Sequence, residues 1–64
     1  MHAKVIELVG ESRDNWNDAV QSAVREASQT VSNISGVEIY NLTANVDNGN
    51  IVEYKANVKV VYHS

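Results

Sequence analysis

Two histidines stand at opposite ends of the chain, His2 and His63. Neutral imidazole is the commonest protein ligand for transition metals. If the first and last segments pair antiparallel, the start of one lies beside the end of the other. The two rings then approach, and a symmetric assembly multiplies the pair, although a four-coordinate site needs further ligands. A second candidate is Asp47-Asn48-Gly49-Asn50, which gathers the side-chain oxygens that calcium takes. It lacks the dense carboxylates of an EF-hand loop, and Asn-Gly is equally the signature of a tight turn. The candidate metal ligands are therefore Asp47, Asn48, Asn50, His2 and His63. Glu7, Glu38 and Glu53 fall on extended segments, where carboxylates either converge at a symmetry axis or pair with cations across strands.

Other chemistry is missing. With no cysteine, the chain has no disulfide, thiolate zinc site, iron–sulfur cluster or cysteine nucleophile. No HExxH, GxSxG or glycine-rich phosphate loop occurs. No catalytic residue is assigned, and the chain is read as a non-enzyme.

The elements that hold these residues must be few. Sixty-four residues make one domain, spanning residues 1–64, and a chain this short buries a smaller share of its surface than larger domains do. Without disulfides the expected stabiliser is association with itself. The five cations, Lys4, Arg13, Arg25, Lys55 and Lys59, form no basic stripe, and the net charge is −3, so nucleic acid is not an expected partner. No apolar run approaches the roughly 20 residues of a membrane span. No apolar leader opens the chain, so the expected location is the cytoplasm.

Ala3 to Val9 reads as a strand, ended by Gly10. Ser12 is the expected helix N-cap. From Arg13 to about Ile34 apolar residues recur every three or four positions: Trp16, Ala19, Val20, Ala23, Val24, Ala27, Val31 and Ile34. That period predicts one long amphipathic helix, stopped at Ser35-Gly36. Its alanine-rich stripe lets a curved sheet approach closely. Trp16, the only tryptophan, keeps register with Ala19, Val20 and Ala23 and reads as a core anchor rather than a stacking platform. Two strands follow, Val37 to Val46 and Ile51 to His63, joined by the Asp47–Asn50 hairpin. In the last strand Tyr54, Ala56, Val58, Val60 and Tyr62 share a face. In the one before, Val37 and Ile39 have odd parity whereas Leu42, Ala44 and Val46 have even parity. Such a change needs an extra residue, so a bulge is expected near Tyr40-Asn41. The fold class is α+β in the order β-α-β-β, with the third strand central in a three-stranded antiparallel-type sheet wrapped around the helix. The apolar content, 44%, exceeds what one helix–sheet interface needs, which points to a second interface between copies.

The chain resembles the dodecin family over Lys4 to Tyr62. The resemblance is carried by Lys4-Val5-Ile6-Glu7-Leu8-Val9-Gly10, by Ala19 through Val31, by Val37-Glu38-Ile39 and by Tyr54-Lys55-Ala56-Asn57-Val58-Lys59-Val60. It implies a hollow homododecamer that binds, stores or sequesters a small ligand, in many members a flavin (riboflavin, FMN or FAD) and in one branch calcium. Flavin binders in the family place a Trp just after the helix, stacked on the isoalloxazine ring, and a Gln in the last strand against its polar edge. The matching positions here are Gly36 and Lys55. Gly36 has no π surface, and Lys55 donates hydrogen bonds but accepts none. The resemblance therefore implies the fold and the shell, with a ligand site altered at Gly36 and Lys55. Its alternative is a flavin-free structural or calcium-binding assembly.

Overall fold

A computed structural model of the chain describes residues 2–64. Its elements are β1 (Ala3–Ser12), α1 (Trp16–Ser28), β2 (Ile34–Asp47) and β3 (Asn50–His63). The sheet order is β1-β3-β2, with β3 antiparallel to both neighbours. β1 and β2 therefore run parallel to each other, as a connection through a helix allows. β3 contains no proline, so it can donate to both ladders.

Val58 and Val60 of β3 and Ala19, Ala23 and Ala27 of α1 are at most 1% exposed, and with Ala56 they form the core. Ile6, Leu8, Val20, Val24 and Ile34 close its margins. Alanines at every fourth position present a smooth helix surface, and β1 meets it with Gly10. Gly10 lies inside β1 opposite Ala56. A Cβ there would stand 1.9 Å from the Ala19 carbonyl oxygen and 3.0 Å from the Ala23 Cβ. The residue expected to end the strand instead allows α1 to touch it, and β1 continues to Ser12.

The helix is also shorter than its periodicity predicts. Asn15, not Ser12, is the N-cap: its backbone is extended and its side chain accepts the Asp18 amide at 2.7 Å. Ser12 is committed to the ladder opposite Tyr54. Its hydroxyl accepts the Asp14 amide at 2.9 Å and donates to the Asp18 carboxylate at 2.8 Å. At the other end, the Thr30 and Val31 amides both converge on the Ala27 carbonyl at 3.0 Å, which tightens and ends the last turn. Asn33 then takes a left-handed φ of 59°, the reversal expected of Gly36. Gly36 sits within β2 opposite Val61.

The expected bulge is present. Ile39 pairs with Val58 and Asn41 with Asn57, so Tyr40 is left out of the ladder. That one residue puts Val37, Ile39 and Leu42 on the helix side of the sheet, opposite Val60, Val58 and Ala56 despite their mixed parity. Two further register shifts, at Ser35 and Val52, were not legible in the parity pattern. The hairpin lies where expected, but the strands run on to Asp47 and Asn50 and leave a two-residue turn, with Asn48 at φ 53° and Gly49 at φ 78°, both positive as a type I′ turn requires.

α1 lies over β1 and β3 and leaves β2 largely uncovered. On the helix side of β2, Ile39 is 50% exposed and Leu42 47%. Beyond the last β1 rung, Ser12 with Tyr54, β2 and β3 continue as a two-stranded arm. The molecule measures 49 × 19 × 14 Å.

Trp16 fastens the helix to this sheet. Its indole Nε1 donates to the Thr43 carbonyl of β2 at 2.8 Å, and its ring meets Tyr54 edge-on at a centroid distance of 4.8 Å. Trp16→Phe keeps an aromatic ring and removes the hydrogen bond. We expect a loss of about 1 kcal/mol in urea unfolding. An unchanged midpoint would show that the indole hydrogen bond contributes nothing.

Candidate functional site

The face of the sheet away from α1 carries the polar and charged residues in cross-strand rungs. Ladder partners share a face, which orders this surface from one end to the other. His63 lies opposite Ala3, with the Ser35 hydroxyl 3.4 Å from its Nε2. Next come Gly36, Val61 and Val5, then Glu38, Lys59 and Glu7, then Asn41, Asn57 and Val9, and finally Thr43, Lys55 and Glu11.

Two ion pairs lie on this face. The Lys59 Nζ is 3.8 Å from a Glu7 carboxylate oxygen and 4.7 Å from the centre of the Tyr40 ring. Tyr40 beside it is the largest influence raising the Lys59 pKa. The Glu7 and Glu38 carboxylates add to it, and partial desolvation opposes it. A raised lysine pKa means that this contribution is complete at neutral pH and lost only as pH rises through the raised value. Lys55 Nζ lies 3.8 Å from Glu11. Tyr40 and the Lys59 rung did not emerge from sequence reasoning. Only the parity change marked Tyr40, and it marked a bulge rather than a contact.

Gly36 and Lys55 occupy the same face but not the same place. Gly36 pairs with Val61, and Val61 is six positions from Lys55 along β3. At about 3.3 Å per strand residue the two positions lie roughly 20 Å apart. A side chain at Gly36 would meet nothing within 4 Å. The surface there is flat and open, and the described residues enclose no cavity.

The other candidates are dispersed. His2 pairs with Ser64 through two backbone hydrogen bonds of 3.1 and 3.2 Å, and His63 pairs with Ala3. The strands meet antiparallel as expected, but adjacent ladder positions alternate faces, so His2 and His63 are not brought together. Glu7 and Glu38 flank Lys59, while Glu53 accepts from the Asn45 side chain at 3.1 Å on the arm. Asp47, Asn48 and Asn50 sit at the arm's tip. There the Asn50 amide donates to the Asn48 carbonyl at 3.4 Å. Among the described residues no three histidines or carboxylates cluster closely enough to hold a metal ion.

Known proteins give this geometry its context. The comparison with curated proteins finds no match. Solved structures do match. Dodecin from Streptomyces coelicolor is 28% identical with a TM-score of 0.91, covering 95% of this chain and 87% of its own. Dodecin from Streptomyces davaonensis is 24% identical with a TM-score of 0.90, covering 95% and 90%, and supports the fold. The calcium dodecin of Mycobacterium tuberculosis, a calcium-chelating immunodominant antigen with a novel calcium-binding site, is 25% identical with a TM-score of 0.86, covering 100% and 91%. The Dodecin family model matches residues 3–64. With the β-α-β-β order and the sheet order β1-β3-β2 also in place, the chain belongs to the dodecin family.

Proposed function

We propose that the chain assembles as a homododecameric shell that stores or sequesters a small ligand at sites shared between copies. The observation that carries this reading is the separation of Gly36 from Lys55. They share an open face yet lie too far apart for both to touch one flavin ring system within a protomer. Only a second copy completes the site. The uncovered side of β2 gives such copies an apolar surface on which to meet.

The residues present do not match a flavin site of the family's usual kind. Gly36 supplies no ring to stack on, and Lys55 is already paired with Glu11 and accepts no hydrogen bond. We therefore expect flavin affinity well below that of family members that keep both contacts. The second reading is a flavin-free, calcium-binding assembly, supported by the likeness to the M. tuberculosis calcium dodecin.

Native mass spectrometry of protein purified without added ligand tests the shell. We expect a twelvefold mass, with any excess identifying the cargo. A monomer or dimer mass overturns the reading. Titrations of FMN, riboflavin and calcium then separate the two versions. Gly36→Trp combined with Lys55→Gln is expected to raise flavin affinity tenfold or more, since base–aromatic stacking contributes roughly 1–3 kcal/mol. No gain in fluorescence quenching would show that the rest of the pocket also differs.

A further inference from the structure

We propose that Asn48 is a site of spontaneous deamidation, passing through a cyclic imide formed with Gly49. This inference does not depend on the proposed function. Three observations leave the reacting groups free. Both residues are exposed at the tip of the β2–β3 arm. The Asn48 side-chain amide makes no hydrogen bond among the described residues; only its backbone carbonyl is engaged, by Asn50. The Gly49 amide N–H has no backbone partner among them either, and no atom outside its chain neighbours lies within 4 Å of where a Cβ would stand. Nothing therefore ties down the electrophile, shields the nucleophile or crowds the ring between them. Asparagine is a labile residue, and glycine leaves the attacking nitrogen unhindered.

The chemistry balances without an external oxidant or reductant. Base removes the Gly49 N–H proton, and the nitrogen attacks the Asn48 Cγ. The new C–N bond closes a five-membered imide as the Cγ–Nδ2 bond breaks, and Nδ2 leaves as ammonia after taking up a proton. Water then opens the imide at either carbonyl. One product is aspartate in a normal backbone. The other is isoaspartate, which adds a methylene to the main chain. Both add a negative charge beside Asp47. The isoaspartyl product also lengthens a two-residue turn whose geometry sets Asp47 opposite Asn50 and Val46 opposite Ile51.

Incubating the folded chain for weeks in warm, mildly alkaline buffer tests the proposal, with a urea-unfolded sample alongside. We expect a mass gain of about 1 Da in the folded sample, localised to residue 48 by fragmenting the tryptic peptide that spans it, at a rate within tenfold of the unfolded chain. Asn48→Gln is expected to keep its mass, because its longer side chain cannot close the five-membered ring. Conversion confined to the unfolded sample would overturn the proposal by showing that the turn protects Asn48. Conversion of the folded chain at Asn45 or Asn50 instead would overturn the assignment.

Discussion

Gly10→Ala is expected to destabilise the chain by about 3 kcal/mol or more, at the upper end of what overpacking a core costs. The added methyl would stand 1.9 Å from the Ala19 carbonyl oxygen and 3.0 Å from the Ala23 Cβ. The first of these is backbone, which cannot rotate out of the way. The helix must therefore lift from β1, which opens the contacts of Ala23 and Leu8 as well. Alanine's lower cost than glycine in a strand returns only about 0.5–1 kcal/mol. At roughly 0.05–0.15 kcal/mol per residue, a chain of this length has only several kcal/mol of total stability, so one methyl removes a large part of it. Circular dichroism during urea titration reads the loss, and Gly10→Val is expected to abolish the folded baseline. An unchanged midpoint for Gly10→Ala would mean that α1 can withdraw from β1 without cost.

Val58→Asp is the second large effect. Val58 is fully buried, its ladder partners are Leu8 and Ile39, and the alanine stripe of α1 covers it. These are apolar side chains with no hydrogen to donate to a carboxylate. An unpaired charge there costs several kcal/mol, enough to leave no folded protein by circular dichroism or size exclusion. Val58→Thr separates charge from polarity. It keeps the shape and buries one hydroxyl, and we expect a folded chain weakened by about 1–3 kcal/mol. Folded, assembled Val58→Asp protein would mean that β3 is out of register by one residue, with the Lys59 face turned inward.

Much of this architecture is written in short-range patterns. The strict alternation of Tyr54, Ala56, Val58, Val60 and Tyr62 fixes β3 and its inner face. Asn48-Gly49 fixes the hairpin, and the parity change in β2 locates Tyr40. What failed did so for a common reason: glycine and periodicity are both ambiguous. Gly10 and Gly36 read as breaks because glycine tolerates any backbone, yet Gly10 is required for the space it leaves and Gly36 lies within a ladder. Val31 and Ile34 extend the helical spacing by coincidence. Both are half-buried, but both lie beyond the helix, Val31 just past its last turn and Ile34 after the Asn33 reversal. The candidate site was legible only as positions. That Gly36 and Lys55 share a face follows from β3 parity once the Gly36–Val61 pairing is known. The separation of His2 from His63 depends on which residue faces Ala3, and no local pattern encodes that choice.

The distance between Gly36 and Lys55 has a consequence for occupancy. In the proposed shell, a ligand held by both positions would belong to two copies at once, and each copy would then serve two ligands, one at either end of its sheet. Loss of one copy spoils two sites. Filling such a site would fasten two neighbours, and by mass action a filled shell would resist dissociation more than an empty one. Linkage would make the relation reciprocal, so the proposed shell's readiness to fall apart and its readiness to release cargo would become a single quantity, adjustable from either side.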